Sequence, residues 1–348
     1  MGARPQFIKA APLSRALRQS GHSEFLVHTG QHYDHNMSQV FFEEMGLPLP
    51  DVNLEVGSGS HGRQTGEMLA RLEEVMQREK PDYVLVYGDT NSTLAGALAA
   101  VKLRIPVAHV EAGLRSFNRE MPEEHNRVIA DHCADLLFCP TQTAVANLAR
   151  EGLTAGVHLT GDTMYDAVLQ FASVARQKST LLKTLELEPR SYLLATIHRP
   201  YNTDDSESLQ NILSAFVESE ETIIFPVHPR TRCQIEALGF RETGRLRLIE
   251  PVGYLDMLAL EQNARLILTD SGGVQKEAYF FGVPCLTLRP ETEWVETVEA
   301  GWNAICIADR NRIKEGIKRA DWPEENPPQI FGDGRAAQNI AALIESQI

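Results

Sequence analysis

The sequence predicts an α/β protein made of two Rossmann-like, doubly wound domains, and three observations predict it. Short apolar, β-branched runs alternate with longer segments of helical period almost from end to end. The short runs are apolar on both faces, as strands covered by helices on both sides must be. The chain has 348 residues, about two domains at the usual ~150 residues each. Hydrophobic residues make up 43% of it, too many for a disordered or fibrous chain.

In the first half the strand candidates are Phe25–Thr29, Tyr83–Tyr87, Pro106–Val110 and Leu136–Cys139. In the second they are Tyr192–Ile197, Thr222–Val227, Leu246–Ile249, Leu266–Thr269 and Cys285–Leu288. Between strands, His61–Glu79 places Met68, Leu69, Leu72, Val75 and Met76 on one helical stripe, with Arg71, Glu73, Glu74 and Arg78 largely outside it. Such alternation implies parallel sheets joined by right-handed crossovers. The pattern pauses over Tyr165–Arg190, and a fresh strand opens at Tyr192. The first domain is therefore placed at residues 1–170 and the second at 171–333. Gly334–Ile348 reads as a helix through Ala336, Ala337, Ile340, Leu343 and Ile344.

Charge and cysteine usage narrow the class. With 33 basic and 47 acidic residues the net charge is −14, which argues against a nucleic-acid or anionic-membrane binder. No apolar run approaches the ~18 residues of a membrane span, and Arg4, Lys9, Arg15 and Arg18 interrupt any signal-peptide core. The five cysteines show no C-x-x-C or zinc spacing, which points to a reducing cytoplasm. A soluble, acidic, two-domain enzyme is expected.

In doubly wound sheets ligands bind beyond the carboxyl ends of strands, so two such domains predict a site in the cleft between them. The polar clusters fall immediately after strands. Thr269–Glu277 follows one strand and opens a helix. There Gly272 and Gly273 allow backbone N–H groups to approach an oxyanion, Ser271 adds a hydroxyl, and Glu277 stands one turn in, where it can accept from a ribose diol. The same pattern also serves as an ordinary strand-to-helix turn. Arg4 and Lys9, beside a helix start, form a local anion site or a solvated basic helix end.

A third set is acid-rich: Gly88-Asp89-Thr90, His109–Arg115 and Met121–Arg127. Carboxylates at successive strand ends converge on one crevice, where mutual charge and burial separate their pKa values. Taken singly, Asp89 also reads as a helix cap and Glu111 as the ion-pair partner of Arg115. His198 and His228 each stand at a strand end, suited to diphosphate contact or proton transfer as well as to a structural role. No clamp spacing accompanies them, so no metal is expected.

Together and in this order, these motifs resemble the non-hydrolysing UDP-N-acetylglucosamine 2-epimerases. The resemblance runs through Gly2–Lys9, Thr29–His32, Gly88–Thr90, His109–Arg115, Pro122–Arg127, His198-Arg199, His228-Pro229, Asp270–Glu277 and Thr292-Glu293. It implies a glycosyltransferase-B arrangement of the two domains, a C-terminal helix (residues 334–348) that rejoins the first domain, a homodimer, a UDP-sugar substrate and no cofactor. It implies elimination of UDP to a bound 2-acetamidoglucal, return of a proton to C2 from the other face, and re-addition of UDP. By motif position the catalytic set is Asp89, Glu111, Glu123 and His198, and the UDP contacts are Arg4, Lys9, His228, Ser271, Gly272, Gly273 and Glu277. Gln31 and His32 match a motif linked in some members to a second, activating UDP-GlcNAc site. The pathway implied is cell-surface polysaccharide biosynthesis.

Two departures bear on this reading. The family carries a β-strand before its Gly-x-Arg-Pro turn, whereas only Met1 precedes Gly2 here, so an inner gap or unpaired edges are expected in the first sheet. In Glu291–Glu296, Trp294 stands where many members have arginine, a variant resembling a subgroup that acts on UDP-2,3-diacetamido-2,3-dideoxyglucuronic acid. A glycosyltransferase-B UDP-sugar transferase would share the phosphate loop and Glu277 without needing the three carboxylates. A non-catalytic sugar-nucleotide sensor would bind without hydrogen exchange at C2. A hydrolysing epimerase would release free N-acetylmannosamine.

Overall fold

Apolar residues of alternating facing draw the short runs into parallel sheets. The computed structural model describes residues 1–30, 42, 45–240 and 244–347, with Arg4 described through its backbone alone. The chain divides into two units, Met1–Leu169 with Gln329–Ile348, and Gln170–Pro328.

The first unit contains α1 (Arg4–Gln19), β1 (Val27–His28), β2 (Val52–Asn53), α2 (His61–Glu79), β3 (Val84–Tyr87) and α3 (Asn91–Lys102). It continues with β4 (Val107–Val110), α4 (Pro122–Cys133), β5 (Leu136–Cys139), α5 (Gln142–Arg150) and β6 (Val157–Leu159). Helix α6 (Thr163–Lys178) carries the division between units. The second unit contains α7 (Leu181–Thr184), β7 (Leu193–Thr196), α8 (Pro200–Thr203), α9 (Ser206–Glu218), β8 (Ile223–Pro226), α10 (Pro229–Ala237), β9 (Leu246–Ile249) and α11 (Tyr254–Asn263). It closes with β10 (Leu266–Thr269), α12 (Gly272–Phe280), β11 (Cys285–Thr287), α13 (Val295–Glu299), β12 (Asn303–Ile305) and α14 (Arg310–Lys318). The last helix, α15 (Ala336–Glu345), belongs to the first unit.

The second unit has one six-stranded sheet, β12-β11-β10-β7-β8-β9, parallel throughout. Its inner strands β7, β10 and β11 are buried on both faces. Leu193, Ala195, Ile223, Phe225, Leu266 and Leu268 pack with Leu209, Ile212 and Phe216 of α9 and with Ile313 and Ile317 of α14. The alternate residues Leu194, Ile224 and Ile267 pack with Leu260 of α11 and with Val274 and Ala278 of α12. Each such aliphatic side chain contributes about 1.5–3 kcal/mol on burial.

In the first unit the sheet is interrupted. Strands β3-β4-β5-β6 form one parallel ladder, and β1-β2 form a separate parallel pair. Alanines 95, 97, 99 and 100 of α3 join Met68, Leu72 and Val75 of α2 in one core cluster, small residues that let the two helices approach. Helix α15 packs Ala337, Ile340, Ala341 and Ile344 with Ala10, Leu13 and Leu17 of α1. The carboxylate of Asp166 receives the Ala336 and Ala337 N–H groups at 3.2 and 2.7 Å, satisfying donors that every helix start leaves open.

Three strands escape sequence reading: β2, β6 and β12. Each is only two or three residues long, and β6 leaves Leu159 55% exposed. The short polar-flanked runs lack the two-faced apolar pattern that marks central strands. At the expected strand Phe25–Thr29, pairing begins only at Val27, because the Leu26 N–H is taken by the Asp51 carboxylate at 2.6 Å. Among the described residues, no helix is long and apolar enough to cross a membrane.

Candidate active site

In the first unit the chemistry gathers at the carboxyl ends of adjacent strands. Asp89 follows β3 and Glu111 follows β4, and β3 and β4 are neighbours in the ladder. Glu111 is 8% exposed, and its carboxylate pairs with the Lys9 ammonium of α1. Its backbone lies at φ +69°, the left-handed region that a residue with a Cβ enters only at a cost of about 1–3 kcal/mol. The Phe138 carbonyl holds this turn by accepting from the N–H groups of Glu111 and Ala112 at 3.1 and 3.0 Å. Gly88, at φ +61°, lines the same spot. A Cβ there would stand 3.1 Å from the Glu111 carboxylate and 3.2 Å from Lys9 Nζ.

Arg127, fully buried, donates to Asp89 at 2.6 Å and to Glu124 at 2.9 Å. Asn126 of the same helix donates to the Asp89 carbonyl at 2.9 Å. Helix α4, which carries Glu123 in its first turn, is thereby tied to the Asp89 loop. Glu124 is structural: it accepts from Ser116 N and Oγ and from Phe117 N, each at 2.9 Å. Gln6 accepts from Gly2 N at 2.7 Å and donates to the Tyr87 carbonyl at 2.8 Å, fixing the start of α1 at the end of β3.

Behind these groups lies a buried network. His109 donates through Nε2 to the Gly88 carbonyl at 2.7 Å, and its Nδ1 meets Asp131 at 2.7 Å. Arg115 donates to Asp131 at 2.7 Å and to Glu151 at 2.6 Å. Burial alone would push the Asp131 carboxyl up, but His109 and Arg115 outweigh it and hold it below the usual carboxylate range. The expected alternative for Glu111, an ion pair with Arg115, is corrected here. Arg115 is consumed by Asp131 and Glu151, and Lys9 is the partner of Glu111.

In the second unit the sites follow three neighbouring strands. His198 comes after β7, His228 after β8 and Ser271 after β10, and the sheet order places β7 between the other two. Asp270 is fully buried and accepts from the backbone N–H groups of His198 and Arg199 and from the Asn202 amide, at 3.0–3.1 Å. It also meets His198 Nδ1 at 3.1 Å, leaving Nε2 of this exposed imidazole for a ligand. Burial opposes ionisation of Asp270, but these partners hold its carboxyl below the usual range. His228 caps α10, its Nδ1 accepting from Arg230 N at 3.3 Å.

Ser271 caps α12 by accepting from Val274 N, and Gly272 opens the helix. A Cβ on Gly272 would stand 2.5 Å from the Glu293 carboxylate and 3.3 Å from the Trp294 indole nitrogen, so the Glu293 carboxylate would have to shift to admit one. Glu293 is held by Arg289 at 3.0 Å, and Lys276 lies over the Trp294 ring at 4.0 Å. Glu277 is buried one turn further along the helix. A capped, glycine-opened helix start is the arrangement that receives a phosphate.

The structure thus pairs Lys9 with Glu111 and sets Asp89 at the adjoining strand end in one unit, and places His198, His228 and Ser271–Gly273 after neighbouring strands in the other. Gln31 and His32 lie outside the described residues, as does the Arg4 side chain. Sequence reading did not assign roles to Gln6, Arg127 or Asp270. Asp270 stands inside the quoted motif, but nothing in its neighbours reveals that it would turn back to orient His198. Among the described residues, no three His, Cys, Asp or Glu side chains converge as a metal site.

Strand-end carboxylates in one unit, and a carboxylate-oriented histidine beside a phosphate-type helix start in the other, define a class. It is an α/β protein of two Rossmann-like units whose carboxylates and histidines stand at the carboxyl ends of parallel strands. The model of the UDP-N-acetylglucosamine 2-epimerase family matches residues 15–345, and the chain belongs to that family. It is 53% identical over 351 residues to a UDP-N-acetylglucosamine 2-epimerase homolog of Methanococcus maripaludis, covering 99% of this chain and 98% of the relative. It is 49% identical over 352 residues to the UDP-2,3-diacetamido-2,3-dideoxy-D-glucuronate 2-epimerase of Pseudomonas aeruginosa, with 99% and 98% covered. The crystal structure of Methanocaldococcus jannaschii UDP-GlcNAc 2-epimerase in complex with UDP-GlcNAc and UDP matches with a TM-score of 0.91 at 44% identity, covering 99% of this chain and 98% of that one. The fold is of the glycosyltransferase-B type.

Proposed function

We propose that the chain catalyses non-hydrolysing C2 epimerisation of a UDP-2-acetamido sugar, converting UDP-GlcNAc to UDP-ManNAc. Glu111 carries the reading. It is a buried carboxylate on strained backbone, balanced by Lys9 and set at a strand end next to that of Asp89. Family membership supplies the substrate class.

The C2 proton of an intact UDP-sugar is too weakly acidic for a carboxylate to remove. In the proposed path the C1–O bond to UDP breaks first or concertedly, the electron pair leaving with the diphosphate. A carboxylate takes the C2 proton as the C1=C2 bond of a 2-acetamidoglucal forms. A proton then returns to C2 from the opposite face, and a diphosphate oxygen re-adds at C1. Asp89, Glu111 and Glu123 form the acid–base set, with His198 as the fourth catalytic group. Arg4, Lys9, His228, Ser271, Gly272 and Gly273 bind the diphosphate, whose developing charge they stabilise, and Glu277 binds the ribose.

The test is proton NMR of the purified chain with UDP-GlcNAc in D2O. Deuterium at C2 together with UDP-ManNAc is the expected result, and absence of exchange with any UDP-acetamido sugar would overturn the reading. A second reading, UDP-2,3-diacetamido-2,3-dideoxyglucuronic acid as substrate, is favoured by the 49%-identical relative and by Trp294 over Lys276. Exchange with that sugar alone would select it. The proposal includes a homodimer acting in the cytoplasm in cell-surface polysaccharide biosynthesis. Light scattering and cell fractionation test the first two, and the glycan phenotype of a deletion strain tests the third.

A further inference from the structure

Two residues before Glu111, His109 is fully buried on β4, and its imidazole meets an acceptor at each end. Nε2 lies 2.7 Å from the Gly88 carbonyl oxygen, and Nδ1 lies 2.7 Å from Asp131 Oδ1. A carbonyl can only accept, so Nε2 carries a proton. Two lone pairs facing each other at 2.7 Å would repel, so a second proton lies between Nδ1 and the carboxyl group. The His109–Asp131 pair therefore holds two protons.

The other partners of Asp131 decide where the second proton rests. Arg115 donates to Oδ2 at 2.7 Å and the Gly113 N–H at 3.1 Å, and both favour the ionised carboxylate. Arg115 is fixed in turn, because its Nε and Nη2 grip the Glu151 carboxylate at 2.7 and 2.6 Å. The Cys139 thiol of β5 also faces this cluster and stays neutral, since burial pushes its pKa up to about 12. On the far side of Gly88 stands the Lys9–Glu111 pair. With a neutral imidazole, Arg115 alone would face the carboxylates of Asp131 and Glu151. An imidazolium gives two positive groups against two negative ones, the balance that a buried ionic network needs.

The same pair joins the turns that carry the candidate catalytic carboxylates. His109 holds the Gly88 carbonyl, in the peptide that leads into Asp89. Asp131 holds Gly113, two residues after Glu111, and Gly113 at φ +80° has the Ala144 carbonyl oxygen 2.4 Å from where a Cβ would stand. Asp131 belongs to α4, the helix that bears Glu123 and reaches Asp89 through Asn126 and Arg127.

We propose that His109 is a resident imidazolium whose two N–H groups brace the Asp89 turn against the Glu111 turn. It is a positioning residue for proton transfer at C2, and its own protons, both committed to hydrogen bonds, do not pass to substrate. The role in C2 chemistry rests on the epimerisation proposed for the chain, whereas the protonation state does not.

The test is a ring-nitrogen NMR spectrum of the full chain labelled with 15N-histidine, the His109 signals being assigned through its backbone. Both ring nitrogens are expected to carry slowly exchanging protons, unchanged from about pH 6 to about pH 9. One protonated nitrogen, or a ring that titrates in that range, would overturn the imidazolium. His109→Gln keeps a donor and removes the charge. Its Gly88–Thr90 and Ala112–Gly113 amides should exchange roughly tenfold faster or more, with those of β7 and β10 unchanged. Its kcat for C2 exchange should fall by ~10²-fold, with KM and UDP affinity within a few-fold. The acid limb of kcat should also move up by about half a pH unit, because a lost positive charge disfavours ionised carboxylates. Unchanged amides, or a lower kcat on an unshifted limb, would overturn the positioning role. If the variant does not fold, the parent decides through the scalar coupling across the Nε2–H bond to the Gly88 carbonyl carbon, whose absence would overturn the brace. A parent without C2 exchange on any UDP-acetamido sugar overturns the epimerase reading, while the spectrum and the amides still decide the brace.

Discussion

Glu111 shows how one residue's conformation and chemistry depend on each other. The left-handed turn costs energy, and the fold repays it with two hydrogen bonds to the Phe138 carbonyl and the Lys9 ion pair. Glu111→Gln should lower C2 hydrogen exchange by about 10²–10⁴-fold while leaving UDP affinity within a few-fold, read by NMR and by titration calorimetry. A variant with normal exchange removes Glu111 from the catalytic set. Asp131 makes a different prediction. Its folded pKa lies below its unfolded value, so its contribution is complete above about pH 4 and is lost as pH falls through the lower folded value. Asp131→Asn should therefore cost about 3–5 kcal/mol at pH 7, the usual price of breaking a buried pair. It should also flatten the acid limb of a urea-denaturation series, and an unchanged limb would show that other carboxylates set it. The motif residues were legible one by one, because their types and spacing carry chemistry. Their partners were not. Arg115 is four residues from Glu111 yet serves Asp131 and Glu151, a choice made only when distant segments pack.

Elements join these residues through their ends. Asp166 receives the first N–H groups of α15, but burial, with Asp162 and Asp333 nearby, raises its pKa to about 6. A folded pKa above the unfolded value means stability falls as pH rises between about 4 and 6, by at most about 3 kcal/mol. Asp166→Asn should reduce that decline, measured by thermal melts between pH 4 and 7; an undiminished decline would assign it to other groups. At α12 the helix start depends on a missing side chain. Gly272→Ala would push a methyl to 2.5 Å from the Glu293 carboxylate, which Arg289 holds. UDP affinity should fall by roughly tenfold or more with the melting temperature of the free protein within a few degrees, since adjustment of a flexible carboxylate accommodates the fold. An affinity equal to the parent's would show that the phosphate does not use this helix. The long central strands and amphipathic helices were readable from their periods. Strands β2, β6 and β12 were not, because two or three residues at a sheet margin carry too little pattern.

At the scale of the molecule the two units differ in sheet continuity. The second has six strands in one ladder, whereas the first has four and two with a cavity between. Backbone groups on an interrupted edge lose both their partners and the apolar cover of a neighbouring strand. The first unit is therefore expected to unfold first. Calorimetry should resolve a lower transition, and amides of β1 and β3 should exchange at least about tenfold faster than those of β7 and β10. Equal protection would show that the interruption carries no stability cost. The net charge of −14 speaks to bulk partners and is silent on local anion sites. Under the proposed function, Lys9, two histidines and one helix start would supply such sites in an acidic chain.

By itself, the sequence determined the fold class, the parallel alternation and the ordered motifs. Each of these rests on local period or on residue type at fixed spacing. Only the tertiary structure decided that Lys9 pairs with Glu111, that Asp270 orients His198, and that Arg127 joins Asp89 to Glu124. Those outcomes depend on which distant backbone and side-chain groups are desolvated together. A buried charge takes the partner that packing brings to it, whatever stands next to it in the chain.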